Sequence, residues 1–260
     1  MGESRLEKYL SNPAKGLWKL AIPVMAGMSI QTIYSIVDMV FIGRLSGNAI
    51  AAVAFNMPLF FFVLGLTFGL GAGVTASIAR FIGAKDKISA DNSAEHAVVL
   101  GLGISVVLTT VGLVYGKQIL VSIGATADVA NLSWSYLRVI CIGLPFMVLS
   151  AFFRSILAGE GDTKFPMTVA ALGTVLNIIL DPIFIFKLGF GVPGAAWATV
   201  ISQIIVFIIF VYMLFVKEHS YITFRLKDFK PSSFIMKDII KVGFTASRCH
   251  LFDNSNQAFI

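Results

Sequence analysis

Apolar residues run along this chain in six long blocks, roughly 17–43, 51–79, 97–116, 134–153, 165–188 and 194–216, divided by short polar stretches. A helix crossing the hydrocarbon layer of a bilayer needs about 20 apolar residues, and every block has that length. The two-residue alternation of a membrane barrel strand is missing, so the pattern predicts an all-α, polytopic membrane protein with six transmembrane helices over residues 1–216. The first block is much longer than the apolar core of a secretory signal and lacks a small-residue cleavage site, so it reads as a retained helix. From Lys217 the chain turns polar and basic, "KEHSYITFRLKDFKPSSFIMKDIIK", and residues 217–238 read as a cytoplasmic linker. Residues 239–260 start another apolar helix but give way after Ser247 to "RCHLFDNSNQAFI", too polar and too short to span. The expectation is the aborted start of a seventh helix followed by a polar tail, in a truncated chain.

Composition sharpens this reading. Hydrophobic residues make up 57% and charged residues 13%, with a mean hydropathy of +0.86, which excludes a soluble domain with a solvated surface. The net charge of +6 is a topology signal rather than a nucleic-acid patch. Of the 20 Lys and Arg, fifteen fall on one side of the six spans, only Arg44, Lys117, Arg138 and Lys187 fall on the other, and Arg248 lies in the tail. Positive residues stay in the cytoplasm, so both ends of the six-helix unit are expected there, in a multi-pass protein of the cell (inner or plasma) membrane.

Other signals carry less. Cys141 lies in the fourth span and Cys249 in the tail, which implies no disulfide framework. His96, His219 and His250 show no metal-ligand spacing and read as solvated loop or tail histidines. Gly65, Gly69 and Gly73 recur every fourth residue in the second span, and Gly112 and Gly116 end the third; such faces let membrane helices approach closely. "GLGAG" at 69–73 has no strand before it and lies mid-membrane, so it is no nucleotide loop.

The chemistry concentrates in a few polar residues inside the spans. Asp38 in "YSIVDMVFIG" and Asp181 in "VLNIILDPIFIF" are costly in hydrocarbon and mark functional sites by default. At helical rise, Asp38 lies about 9 Å from the outer end of the first span, Asp181 about 10 Å from that of the fifth, and Thr199 about 8 Å into the sixth. One layer of the outer half therefore holds all three. Faces agree too: Asn177 with Asp181, Gln31 and Tyr34 with Asp38, and Thr199 with Gln203. Pro182 has no amide hydrogen and tends to free the carbonyl of Ile178 one turn back. Two carboxylates, an amide, a hydroxyl and a loose carbonyl suit a hard monovalent cation or a shared proton, and two nearby carboxylates in low dielectric do not easily both ionise.

At these residues the chain resembles the multidrug and toxic compound extrusion (MATE) family of secondary antiporters, through nearly all of residues 10–247. The resemblance is carried by "KLAIPVMAGMSIQTIYSIVDMVFIGRLSGNAIAAVA", "SIARFIGAKD", "FRSILAGEGDTKFPM", "LNIILDPIFIF" and "GVPGAAWATVISQ", in family order. It implies the N-lobe of a two-lobe, twelve-helix antiporter that exports cationic or amphipathic compounds against inward flow of H+ or Na+, with no other cofactor. It further implies ion coupling, with Na+ as the metal, at Asp38, Asn177, Asp181 and Thr199, a drug cavity lined by Gln31, Tyr34 and Tyr136, and a bend of the first helix at Pro23. The second lobe is missing, and Thr245 stands where the family has a proline on its seventh helix. "KLAIPVMAG" from Lys19 echoes "KVGFTAS" from Lys241, which hints at a parallel internal repeat of about 222 residues.

Three other readings compete. An intramembrane aspartyl protease would need a Tyr-Asp pair and a Gly-x-Gly-Asp motif, yet Val37 precedes Asp38 and Leu180 precedes Asp181, so no enzyme is expected. A lipid-linked precursor flippase of the same superfamily would line its cavity with cations, whereas most basic residues here fall near interfaces, with Arg154 read as an anchor at the inner end of the fourth span. The third reading is a non-transporting remnant, or a homodimer standing in for the two lobes. The partners expected are small organic cations or amphipathic drugs and membrane lipid, with no nucleic acid.

Overall fold

The computed structural model describes residues 13–217, 219–224 and 231–257, with the side chains of 13–16, 19, 20, 23, 24, 26–28, 30, 31, 33 and 34, Pro23, Gln31 and Tyr34 among them, and those after Ala246, outside the described residues. Its elements are α1 (Pro13–Gly43), α2 (Gly47–Ala54), α3 (Met57–Gly83), α4 (Lys87–Ser122), α5 (Ala127–Gly159), α6 (Lys164–Pro182), α7 (Val192–Val211) and α8 (Ser233–Gln257). Single π-helical turns extend α6 over Ile183–Lys187 and α7 over Tyr212–Val216. No strand occurs among the described residues, and the fold is all-α.

Five stretches are long and apolar enough to cross a membrane: Gly47–Gly83, Lys87–Ser122, Ala127–Gly159, Lys164–Lys187 and Val192–Val216. The 31-residue α1 precedes them, and its backbone is helical through Pro23, Gln31 and Tyr34. On α4, Leu102, Val106, Val107 and Val114 stand exposed, as lipid-facing positions of a membrane bundle do. The chain is a multi-pass membrane protein.

The second block is not one helix. Pro58 lacks an N–H and cannot continue the helix before it, so the chain turns at Phe55 and Asn56 and restarts as α3. Asn56 closes the turn, donating from Nδ2 to the carbonyls of Ala52 (2.9 Å) and Ser133 (3.2 Å). The third block also grows, to 36 residues, because the polar stretch ahead of it is helical too.

Helix pairing follows the small residues. α3 packs along α8, where an added Cβ on Gly73 would overlap the carbonyl oxygen of Ile239 and one on Gly243 would sit 2.8 Å from Leu70 Cα. α4 packs along α5, with Gly112 beneath Cys141 Sγ and Gly116 beneath Trp134 and Leu137. Gly143 of α5 admits Val200 of α7, and Gly173 of α6 admits Val206. Without a hydrophobic drive between helices in lipid, this close backbone approach supplies the dispersion contact that holds them together.

The basic end is tied by polar contacts. Arg80 pairs with Asp238 at 2.9 Å and Lys87 with Asp91 at 2.8 Å. Buried Glu160 accepts from the Ser220 hydroxyl and from the N–H groups of Tyr221 (2.9 Å) and Ile222 (3.3 Å), so residues after α7 are held against the end of α5. α8 begins at Ser233, inside the stretch read as a linker from sequence.

Two histidine expectations are corrected here. His96 lies within α4 and is buried, its Nδ1 2.8 Å from the Asn92 carbonyl and its Nε2 accepting from the Ser232 N–H at 2.9 Å. Buried ring nitrogens find partners, one from the inward extension of α4 and the other from the residue ahead of α8. His219 does lie in a loop, but its Nε2 is 3.0 Å from Asp162 Oδ2 and its ring centre 4.9 Å from that of Phe165. The His250 side chain falls outside the described residues.

Candidate functional site

α6 carries Asn177 and Asp181 one turn apart on its buried face, with Asp181 fully enclosed. α7 runs back beside α6 and presents Thr199 to the same face. Asn177 lies 3.3 Å from the Thr199 hydroxyl, which also donates to the Ala195 carbonyl at 3.0 Å. The amide orientation that satisfies both of its ends has Nδ2 donating to Asp181 Oδ2 at 3.1 Å and Oδ1 accepting from the Thr199 N–H at 3.0 Å. Asn177 is thus the bridge that fixes the carboxylate of one helix against the next.

α1 packs across α6, and its Asp38 shares a cavity wall with Thr199, the hydrogen-bond neighbour of Asn177. Asp38 Oδ1 and Asp181 Oδ1 are both buried with no hydrogen-bond partner among the described residues. A carboxylate oxygen left bare in a low-dielectric interior is costly, and either a proton or a small cation relieves it. Among the described residues no group of three or more His, Cys, Asp or Glu lies together, so the donors are two carboxylates helped by amide and hydroxyl oxygens. That set suits a hard monovalent ion better than a thiophilic or imidazole-bound metal.

A cavity of about 260 Å³ opens beside the pair, lined by Asp38, Thr199 and Tyr136 together with Asn56, Phe60 and Leu144 among others. Most of its wall is apolar, from α1, α3, α4 and α5. Asn177 and Asp181 lie outside this wall. The side chains of Gln31, Tyr34 and Pro23 lie outside the described residues, while Pro182 ends α6 and is followed by the π turn. A π turn next to a buried carboxylate widens the helix where the site is built.

One contributor escapes a reading of the sequence. Asn56 lines the cavity and keeps its Oδ1 buried without a partner among the described residues; its signal is an amide two residues before a proline in an apolar run. Arg154, read as an anchor at the inner end of its span, has its guanidinium carbon 5.9 Å from the centre of the Phe68 ring, and the carbonyl of neighbouring Ser155 accepts from the Thr75 hydroxyl at 2.9 Å.

Comparison with known proteins converges on one group. The MatE family profile matches residues 23–183. The multidrug export protein MepA of Staphylococcus aureus (strain MRSA252) is 30% identical over 250 residues, covering 95% of this chain and 55% of MepA. A MOP superfamily transporter from Pyrococcus furiosus, described as having a binding pocket of reverse polarity that suggests a different function, superposes with a TM-score of 0.89 at 41% identity. That match covers 92% of this chain and 53% of the other. A multidrug resistance MATE family transporter of the MOP superfamily in its outward-facing conformation gives the same values. The chain spans about half the length of the relatives it matches.

Proposed function

The chain belongs to the MatE family, and from that premise we propose that it forms the ion-coupling N-lobe, residues 1–216, of a secondary antiporter that exports cationic or amphipathic drugs in exchange for H+ or Na+. The observation that carries this reading is the pair of buried oxygens Asp38 Oδ1 and Asp181 Oδ1, without a partner among the described residues, beside an apolar cavity. An organic cation in that cavity and an ion at the carboxylates each relieve the same negative charge, so they compete. Asp38 faces both, Asn177 holds Asp181 in register, and Thr199 supplies a hydroxyl oxygen to the ion. Ion entry from outside neutralises the pair, α1 repacks around Pro23, the cavity shrinks, and the cation leaves outward. Direct competition at shared carboxylates needs no further cofactor, and binding both cargoes exclusively is what makes the exchange obligatory. The second lobe, supplied by more chain or by a second copy of this one, closes the pathway. The residues between α7 and α8 join the lobes, and α8, from Ser233, opens the second.

The test is efflux of a fluorescent cationic dye from cells expressing residues 1–260, beside Asp38→Asn, with membrane insertion of both verified. It is paired with dye-induced proton or Na+ release from the purified chain. Release that disappears in Asp38→Asn supports shared carboxylates. Equal release from both sinks the coupling role, and release without efflux assigns ion binding to this lobe and transport to the two-lobed assembly.

A further inference from the structure

Drug-cation export gives no use to the positive charge held between α3 and α5. Arg154 lines a groove of about 460 Å³ there, with Gly71, Ala72, Thr75, Ala151 and Ser155 among its walls. None of the residues around the Asp38 cavity lines it. We propose that this groove is a second subsite, in which Arg154 binds the oxyanion (carboxylate, sulfonate or phosphonate) of an amphipathic cargo. The proposal extends the export reading to a further class of compound.

Four observations support it. Among the described residues Arg154 forms no ion pair, and its recorded contact is the Phe68 ring at 5.9 Å, the outer limit for a cation over an aromatic face. Its direction matters as well, since the guanidinium is turned to the Phe68 ring and not to the Arg80–Asp238 pair at the basic end. The hydroxyls of the groove are already committed: Thr67 donates to the Val63 carbonyl at 2.7 Å, Thr75 to that of Ser155 at 2.9 Å, and Ser155 to that of Ala151 at 3.0 Å. Recognition is thereby left to the guanidinium, whose planar fork of five donors matches an oxyanion and repels a cation. Finally, the groove has the volume of a small-molecule site, and its small walls leave room for an apolar body next to Phe68. A lipid headgroup would carry the same chemistry, and added phosphatidylglycerol tells the two apart.

A matched pair of probes tests the idea: naphthalene-2-sulfonate and naphthyl-trimethylammonium, titrated calorimetrically into the purified full chain. Arg154→Gln should weaken sulfonate binding by at least about tenfold, the loss of one charge-assisted hydrogen bond, and Arg154→Lys, which keeps the charge but loses the planar fork, should fall between that variant and the unmodified chain. Ammonium binding should be unchanged by Arg154→Gln. Asp38→Asn should leave the sulfonate untouched, so failure of the export reading and failure of this one are separable. Thermal melts matched to the unmodified chain confirm that each variant is folded. Equal sulfonate affinity with and without the arginine, or no sulfonate binding by the unmodified chain, overturns the proposal. So does stoichiometric displacement of the sulfonate by added phosphatidylglycerol, which would give the groove to lipid phosphate.

Discussion

Adding one methyl group at two glycines should move stability in opposite directions. Gly73 lies where α3 meets α8: a Cβ there would fall 3.0 Å from the Gly243 nitrogen and 3.1 Å from the Ile239 carbonyl carbon, and would overlap the Ile239 oxygen. These neighbours are backbone, so no side-chain rotation makes room. Ordinary carbon contact begins near 3.5 Å, which means α8 has to retreat by about 1 Å, a gap that forfeits a quarter to a half of each dispersion contact along the seam. Overpacking of this kind costs about 1–3 kcal/mol. Gly103, in the middle of α4, has nothing within 4 Å of its added Cβ, so alanine there only restricts the unfolded backbone and stabilises by roughly 0.5–1 kcal/mol. At roughly 2–4 °C per kcal/mol for a chain of this size, the two variants should melt several degrees apart, on either side of the unmodified protein. Size-exclusion fluorescence after heating in detergent reads this directly. A Gly73→Ala protein that melts at or above the unmodified one would refute the α3–α8 packing argument.

Two further predictions concern the basic end. Glu160→Ala strips the acceptor from the Tyr221 and Ile222 N–H groups at about 1–3 kcal/mol for each one left unsatisfied, so hydrogen exchange at Tyr221 should accelerate most, Ile222 retaining the Ser220 hydroxyl at 3.0 Å. Unchanged exchange at Tyr221 would mean that Glu160 does not hold this segment. Asp86 caps α4, and hydrogen bonds from the Ser89 hydroxyl and backbone N–H hold its carboxyl below the ordinary carboxylate range. A depressed folded value means the cap's contribution is present above the unfolded range and is lost as pH falls through the folded one. The protection factor of the Ser89 amide, the free-peptide exchange rate divided by the observed rate at the same pH, should therefore fall on acidification, and Asp86→Ala should abolish that pH dependence.

The spans were legible because a bilayer enforces a length and a polarity on every crossing, and the Asp38, Asp181 and Thr199 layer followed from counting residues at constant rise. What counting misses is direction and partner. Hydropathy marks the third block from residue 97, yet α4 starts at Lys87, so His96 looked solvated when its partners come from Asn92 and, far along the chain, Ser232. Arg154 looked interfacial by position, whereas its guanidinium lies 5.9 Å from the Phe68 ring of α3, a partner that position alone does not name. The break at Pro58 was readable from the proline alone, but the apolar residues around it hid it in a window average.

The α3–α8 seam also sets a clock. Gly73 faces Ile239, a partner synthesised about 170 residues later, and at 5–20 residues per second the ribosome takes roughly 10–30 s to deliver it. During that interval the glycine face of α3 lies open in the bilayer, able to pair with whichever helix arrives first. Correct assembly therefore depends on timing: either the insertion machinery shields α3 until α8 emerges, or a provisional pairing must be weak enough to be exchanged when it does.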